Sequence, residues 1–443
     1  MNFSPEQIIN LAPDPASAKA GRGLASVGKW VSRGADEKAI WGECQGSGKD
    51  PYRTQIDLSE PAFRCSCPSR KFPCKHGLGL FLLYANQPAV FAKDPPPPWV
   101  SEWLTKRASQ AEQKKAVHPA GEPTEKSAAK EPKNEAAKLK RAGDRQARVT
   151  AGLAELELWL VDLMRRGLGS LQSQPDRYWH QIAARLVDAQ APGLARRVRE
   201  LSGLSNSVEG WTEIMLARLG SIYLLLEGFK RIETLPSEIQ ADIRSAIGWT
   251  IKEEELSSEL TVSDKWIVLG QRTHEEEGLV TQRTWLWGQS TARNALVLDF
   301  AAKGQALKAN LIPGTGFDAE LVFFPGNSLR VVIRNRLSSA SREIAFPEGQ
   351  NSEAFLSAYA DFLGRNPWAE TFPVVFDGVP VCRNDRWFVR DSANRLISLS
   401  PRFSNGWELM AVSGGHVVTV SGEWDGLHCF PFGVWNNGQY LRI

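Results

Sequence analysis

Four residues with soft or borderline donor atoms crowd into one short string, CSCPSRKFPCKH: Cys65, Cys67, Cys74 and His76, in the spacing C-x-C-x6-C-x-H. Three thiolates and one imidazole form a donor set that Zn²⁺ takes tetrahedrally, with Zn–S of about 2.3 Å and Zn–N of about 2.0–2.1 Å. Strict alternation along an extended segment turns both thiols of C-x-C to one face, which suits chelation. The intervening stretch has Pro68 and Pro73 near its ends and lets the chain turn back. With four ligands from protein, no coordination position stays open, so the chemistry is that of a structural zinc. Arg64, Arg70, Lys71 and Lys75 surround the cluster. Their positive field favours thiolates. No C-x-x-C is present, which argues against a redox dithiol.

The elements that must position these ligands follow from pattern. Pro5 after Ser4, with Gln7 following, opens a first helix. Ala39–Cys44 and Tyr52–Leu58 are strand-like around the turn QGSGKDP, and Phe63–Cys67 is a third short strand. Gly77–Asn86 is apolar and ends before Pro88, which predicts a buried helix directly after the last ligand. Residues 1–95 are thus expected to form a small mixed domain of strands and helix around the zinc ligands.

From Leu104 to Arg148 the chain is Lys, Glu, Ala, Gln and Pro with twelve Lys/Arg against six Asp/Glu, a net of +6. Such composition buries too little apolar area to offset its ordering entropy, so 96–148 is expected to be a Pro-rich, basic, flexible linker. In 149–255, Val149, Leu153, Leu156, Leu160 and Leu163 recur in steps of four and three, one face of a helix. Further helices begin near Asp176, Pro192, Asn206 and Pro236, predicting a helical bundle. In 256–443 the period changes to two. WIVLG, GLVTQRTWLWG, ALVLDFA, AELVFFP and LRVVIRN read as strands, then a helix spans Ser352–Leu363. PVVFDGVPVC, RWFVRD, RLISLS, WELMAVSG and HVVTVSGEW continue the strands. The expected fold class is multidomain α+β: zinc finger, helical middle domain and antiparallel β-rich C-terminal domain.

Composition excludes much else. With 53 Lys+Arg against 50 Asp+Glu, the net charge of +3 is not that of a polybasic nucleic-acid coat. No apolar run approaches the ~18 residues of a membrane span. MNFSPEQIINLAPDP lacks the basic and apolar regions of a secretory signal, so a cytoplasmic location is expected. Cys44, Cys382 and Cys429 are isolated and read as core residues. His274-Glu275 lacks the second histidine of H-E-x-x-H, and GTGF and SGG lack the ending of a phosphate loop. Trp285, Trp287, Trp387, Trp407, Trp424 and Trp435 are explained more cheaply by core packing than by a ligand face.

The string from Cys65 to His76 resembles the SWIM zinc finger, C-x-C-x(n)-C-x-H in a ββα setting, at every metal position. The resemblance implies one structural Zn²⁺ and a role in binding DNA or protein, since SWIM modules occur in transposases, remodelling ATPases and ubiquitin ligases. In layout, and around TQRTWLWG, the chain is also similar to bacterial SWIM proteins encoded near MoxR-type AAA+ ATPases. That similarity implies a protein partner of this ATPase system. The expected function is non-catalytic recognition of a macromolecule. A nucleic-acid role would use Lys49, Arg53, Arg64, Arg70, Lys71 and Lys75 on phosphates; a protein-interaction role would present the loop SRKF. An enzyme hidden in the β-rich half is the remaining alternative.

Overall fold

Alternation along the N-terminal strands sends apolar side chains to both faces of one small sheet, so both faces need a cover. A computed structural model describes residues 5–13, 15–46, 50–58, 62–69, 71–116, 131–171, 174–204, 210–249, 251–276, 279–302, 307, 311–341, 344–436 and 438–443. Helices α1 (Pro5–Asn10) and α2 (Pro15–Arg22) precede strands β1 (Trp30–Ala35), β2 (Ala39–Cys44), β3 (Tyr52–Asp57) and β4 (Ala62–Cys65), then helix α3 (Lys75–Asn86). The strands pair in the order β1-β2-β3-β4, all antiparallel. Ile40, Ile56 and Phe63 face α3 and share a core with Leu78, Leu80 and Phe81. Helices α2 and α3 approach closely through glycine: a Cβ on Gly21 would lie 2.8 Å from the Cβ of Leu78. The expected ββα unit is therefore embedded in a four-stranded sheet.

The opposite face carries Ala39 and Trp41, and it is covered by helix α4 (Pro98–Ala116) through buried Val100, with Trp99 and Leu104 alongside. Arg107 of α4 donates to Asp57 of β3 at 3.1 Å. In place of part of the flexible linker expected over 96–148, residues 98–116 form α4 and residues 131–148 lie in helix α5 (Glu131–Arg166). The reason is local. Three large anchors, Trp99, Val100 and Trp103, sit at the start of a polar stretch whose average composition hides them, and the sheet offers them an apolar surface. Residues 117–130 lie outside the described residues.

Helix α5 buries the predicted stripe: Val149, Leu153, Leu156, Leu160 and Leu163 are each at most 5% exposed. It packs with α6 (Asp176–Asp188), α7 (Pro192–Glu200), α8 (Trp211–Lys230) and α9 (Ser237–Ile247) around one core. Each such side chain contributes about 1.5–3 kcal/mol by leaving water. Trp368, far along the chain, is buried in the same core. Among the described residues no helix is long and apolar enough to cross a membrane.

The β-rich half divides into a barrel and a sheet. Strands β5 (Thr261–Glu276), β6 (Leu279–Gly288), β7 (Asn294–Ala302), β8 (Gly316–Phe323) and β9 (Arg330–Arg336) close in the order β5-β6-β7-β9-β8. The β7–β9 pair is parallel and the other pairs are antiparallel. This is the topology of a five-stranded Greek-key barrel of the oligonucleotide- and oligosaccharide-binding type. After α10 (Ser352–Arg365), strands β10 (Phe372–Arg383), β11 (Arg386–Arg390), β12 (Leu396–Ser398), β13 (Val418–Trp424), β14 (Cys429–Asn436) and β15 (Gln439–Arg442) form a six-stranded antiparallel sheet. The segment WELMAVSG, expected as strand, is instead helix α11 (Gly406–Ser413). Leu409 anchors that helix in the core, and Gly414 ends it with a left-handed φ of 56°.

In barrels of this type the outer face of the second and third strands is the usual ligand surface. Here that face belongs to β6 and β7, and its Trp285 and Leu296 are buried against Phe432 of the sheet. The carboxylate of Glu423, 2% exposed, accepts from Arg283 Nε at 2.9 Å, Trp285 Nε1 at 3.0 Å and Arg272 at 3.5 Å. The protein is therefore α+β, with a strand-rich N-terminal part, a helical middle and a β-rich C-terminal half.

Candidate metal centre

The β3–β4 register fixes the first ligand. Thr54 lies opposite Cys65, so both side chains share the face that carries Ile56 and Phe63 and meets α3. Ser66 prolongs the pairing: its N–H donates to the Arg53 carbonyl at 2.9 Å, and its hydroxyl accepts from the Arg53 N–H at 2.9 Å. With Ser66 pinned, Cys65 and Cys67 turn to the same side. The chain then turns back through Ser69, whose hydroxyl accepts from the Lys71 N–H at 3.2 Å, and through the cis Phe72–Pro73 bond. Cys74 is the N-cap of α3, and His76 lies in its first turn. The helix is therefore both the cover of the sheet and the carrier of half the ligand set.

Every one of the four ligand atoms lies within 4.8 Å of the others. Cys65 Sγ is 3.7 Å from His76 Nδ1, and Cys74 Sγ is 4.0 Å from the same nitrogen. Tetrahedral zinc with ordinary bond lengths sets S···N edges of about 3.6 Å and S···S edges of about 3.8 Å. The residues present fit the ion: Cys65, Cys67, Cys74 and His76 are close together in the way one structural zinc requires. His76 would bind through Nδ1, the nitrogen that faces the sulfurs. When bound there, zinc would cross-link the end of the sheet to the start of α3.

The electrostatics suit an ion that displaces protons. The three sulfurs and the ring hydrogen-bond among themselves. Bonds to Cys67 and Cys74, then burial, push the Cys65 thiol up, while bonds from Cys65 and Cys74 push Cys67 down. For His76, burial lowers the pKa, but hydrogen bonds to Cys67 and Cys74 outweigh it and lift the ring to about 9. Outside the set, the Tyr52 ring lies 5.0 Å from that of His76, and the hydroxyl of Thr54 is 3.2 Å from Cys65 Sγ. Spacing alone does not single out Thr54; pairing β3 with β4 in register would have found it.

The remaining cysteines stay apart from the centre's donor set. Cys44 and Cys429 are buried, their thiols pushed up by desolvation, and Cys382 is half-buried. The basic residues divide. Arg53 and Arg64 lie on the sheet face opposite the ligands, where Arg53 pairs with Glu43 at 3.2 Å and stands 5.8 Å over the Trp99 ring. Lys71 and Lys75 are exposed on the ligand side. Lys49 and Arg70 lie outside the described residues. The six tryptophans of the β-rich half do not make one surface: Trp285 and Trp424 are buried in different cores, and Trp407 is 73% exposed.

Two family models match the chain. Residues 52–85 match the SWIM zinc finger, and residues 144–247 match the SWIM-associated four-helix bundle domain. No curated protein and no solved structure matches. The first match spans the hairpin, all four ligands and nearly all of α3, and the second spans most of α5 through α9. A SWIM zinc finger and a SWIM-associated four-helix bundle domain are thus both present in this chain.

Proposed function

We propose that the chain is a non-catalytic adaptor whose loop SRKF docks a protein partner, with a MoxR-type AAA+ ATPase system as that partner. The observation that carries this reading is the division of positive charge. A surface that tracks a phosphate backbone needs contiguous cations, whereas Arg53 and Arg64 lie across the sheet from Lys71 and Lys75, and Arg53 is already paired with Glu43. In the C-terminal half Trp285 and Leu296 are packed against Phe432, so this face of the barrel is covered and not open to a substrate. Co-expression of the full chain with a MoxR-type ATPase from the same genome tests the reading. The ATPase should co-purify with wild type and be lost with Cys65→Ser.

A second reading, direct DNA or RNA binding, is favoured by the exposed Lys71 and Lys75 beside the ligand loop and by the net +6 of residues 104–148. It requires retention of a labelled oligonucleotide that falls steeply with salt and weakens on charge reversal at Lys71 and Lys75. Salt-independent or undetectable retention leaves the adaptor reading.

A further inference from the structure

We infer that Thr54 is a positioning residue of the metal centre, donating its hydroxyl hydrogen bond to the Cys65 sulfur and so setting how tightly the ion is held. The Thr54 side chain is fully buried on the ligand face of β3, and its Oγ1 stands 3.2 Å from Cys65 Sγ. A buried hydroxyl needs a partner. A metal-bound thiolate can only accept, so the hydroxyl is then the donor. Three thiolates and a neutral imidazole around a divalent ion leave one net negative charge in a half-buried site, and a donor aimed at one sulfur spreads that charge. The β3–β4 register holds the two residues directly opposite, so the contact is built by backbone pairing and not by a mobile side chain. Outer hydrogen bonds of this kind orient ligands and tune a metal's affinity.

Thr54 is fully buried, so the test must separate hydroxyl from shape. Thr54→Val keeps the branched shape and removes the donor; Thr54→Ser keeps the donor. In the full chain, competition with a chromophoric chelator should show zinc held about tenfold more weakly by Thr54→Val, and close to wild type by Thr54→Ser. With Co²⁺ in place of zinc, the sulfur-to-cobalt charge-transfer band should move to longer wavelength in Thr54→Val only. Wild-type zinc retention by Thr54→Val, equal losses in both variants, or an unmoved cobalt band would overturn the assignment. Should valine fail to fold, Thr54→Ala replaces it, and alanine matching serine in zinc retention overturns the assignment equally. Neither readout involves a partner, so the result is independent of what the finger recognises.

Discussion

The carboxylate of Asp242 accepts three hydrogen bonds from Asn327: the backbone N–H at 3.0 and 3.1 Å to the two oxygens, and Nδ2 at 2.8 Å. Asp242 belongs to α9 of the bundle, and Asn327 to the turn between β8 and β9 of the barrel. Asn366 Nδ2 adds a third donor, and a fourth hydrogen bond, at 3.3 Å. The turn can approach so closely because Gly326, with φ of 96°, has no Cβ, which would otherwise stand 2.5 Å from Asp242 Oδ1. The helical and β-rich parts are thus joined by a buried carboxylate.

That carboxylate makes stability depend on pH. Burial lifts Asp242 to about 6, with the Asn327 bonds offsetting part of the rise. The unfolded group titrates near 3.9. Between these values the folded state binds more protons, so this contribution is full below about pH 4 and is lost as pH rises through 6, by up to about 3 kcal/mol. Urea denaturation at pH 4, 5 and 7 should show wild type losing stability relative to Asp242→Asn across that window. A constant difference would show that Asp242 does not titrate there.

Zinc content is the second prediction. Purified wild type should carry about one equivalent, and Cys65→Ser or Cys74→Ser should lose it along with the ordered finger, because metal binding and folding are linked. Cys44→Ser, which touches a thiol outside the donor set, should keep the metal.

Metal uptake should also release protons. Cys65, Cys67 and Cys74 bind as thiolates and His76 as a neutral imidazole, so protons on these groups must leave before zinc is held. Affinity should therefore rise with pH, and calorimetry in two buffers of different ionisation enthalpy should count the protons released. Identical heats in the two buffers would contradict displacement of protons from the ligand set.

Glu423 gives the fourth prediction. Its carboxylate is the shared acceptor for Arg272, Arg283 and Trp285 at the barrel–sheet seam. Removing one partner of a buried pair strands the others, so Glu423→Ala should cost about 3–5 kcal/mol. Glu423→Gln, which keeps one acceptor oxygen, should cost less. Denaturant midpoints measure both.

The metal ligands were legible because chelation is local: all four fall within one short string, and no distant contact is needed to see the donor set. Helix starts at Asp176 and Pro192 were equally visible, since an acidic first turn and a proline act within a few residues. Helix α4 was not, because Trp99, Val100 and Trp103 gain their meaning from a sheet face made far upstream. The segment around Leu409 holds Leu, Met and Val in an order that suits strand or helix, and the packing of Trp387 against Gly406 belongs to the tertiary structure. The division into barrel and sheet was invisible for a related reason. Both use the same alternating pattern, and closure is decided by which strands pair, including the parallel β7–β9 match.

Trp368 bears on how the molecule comes off the ribosome. It is 6% exposed and packs in the core of α5–α9, yet it follows the last residue of α9, Ile247, by 121 positions. Domains emerging earlier ordinarily fold earlier. Here the bundle's core lacks one of its members until the entire barrel and α10 have been translated. A fragment cut at the 144–247 limits lacks that side chain altogether.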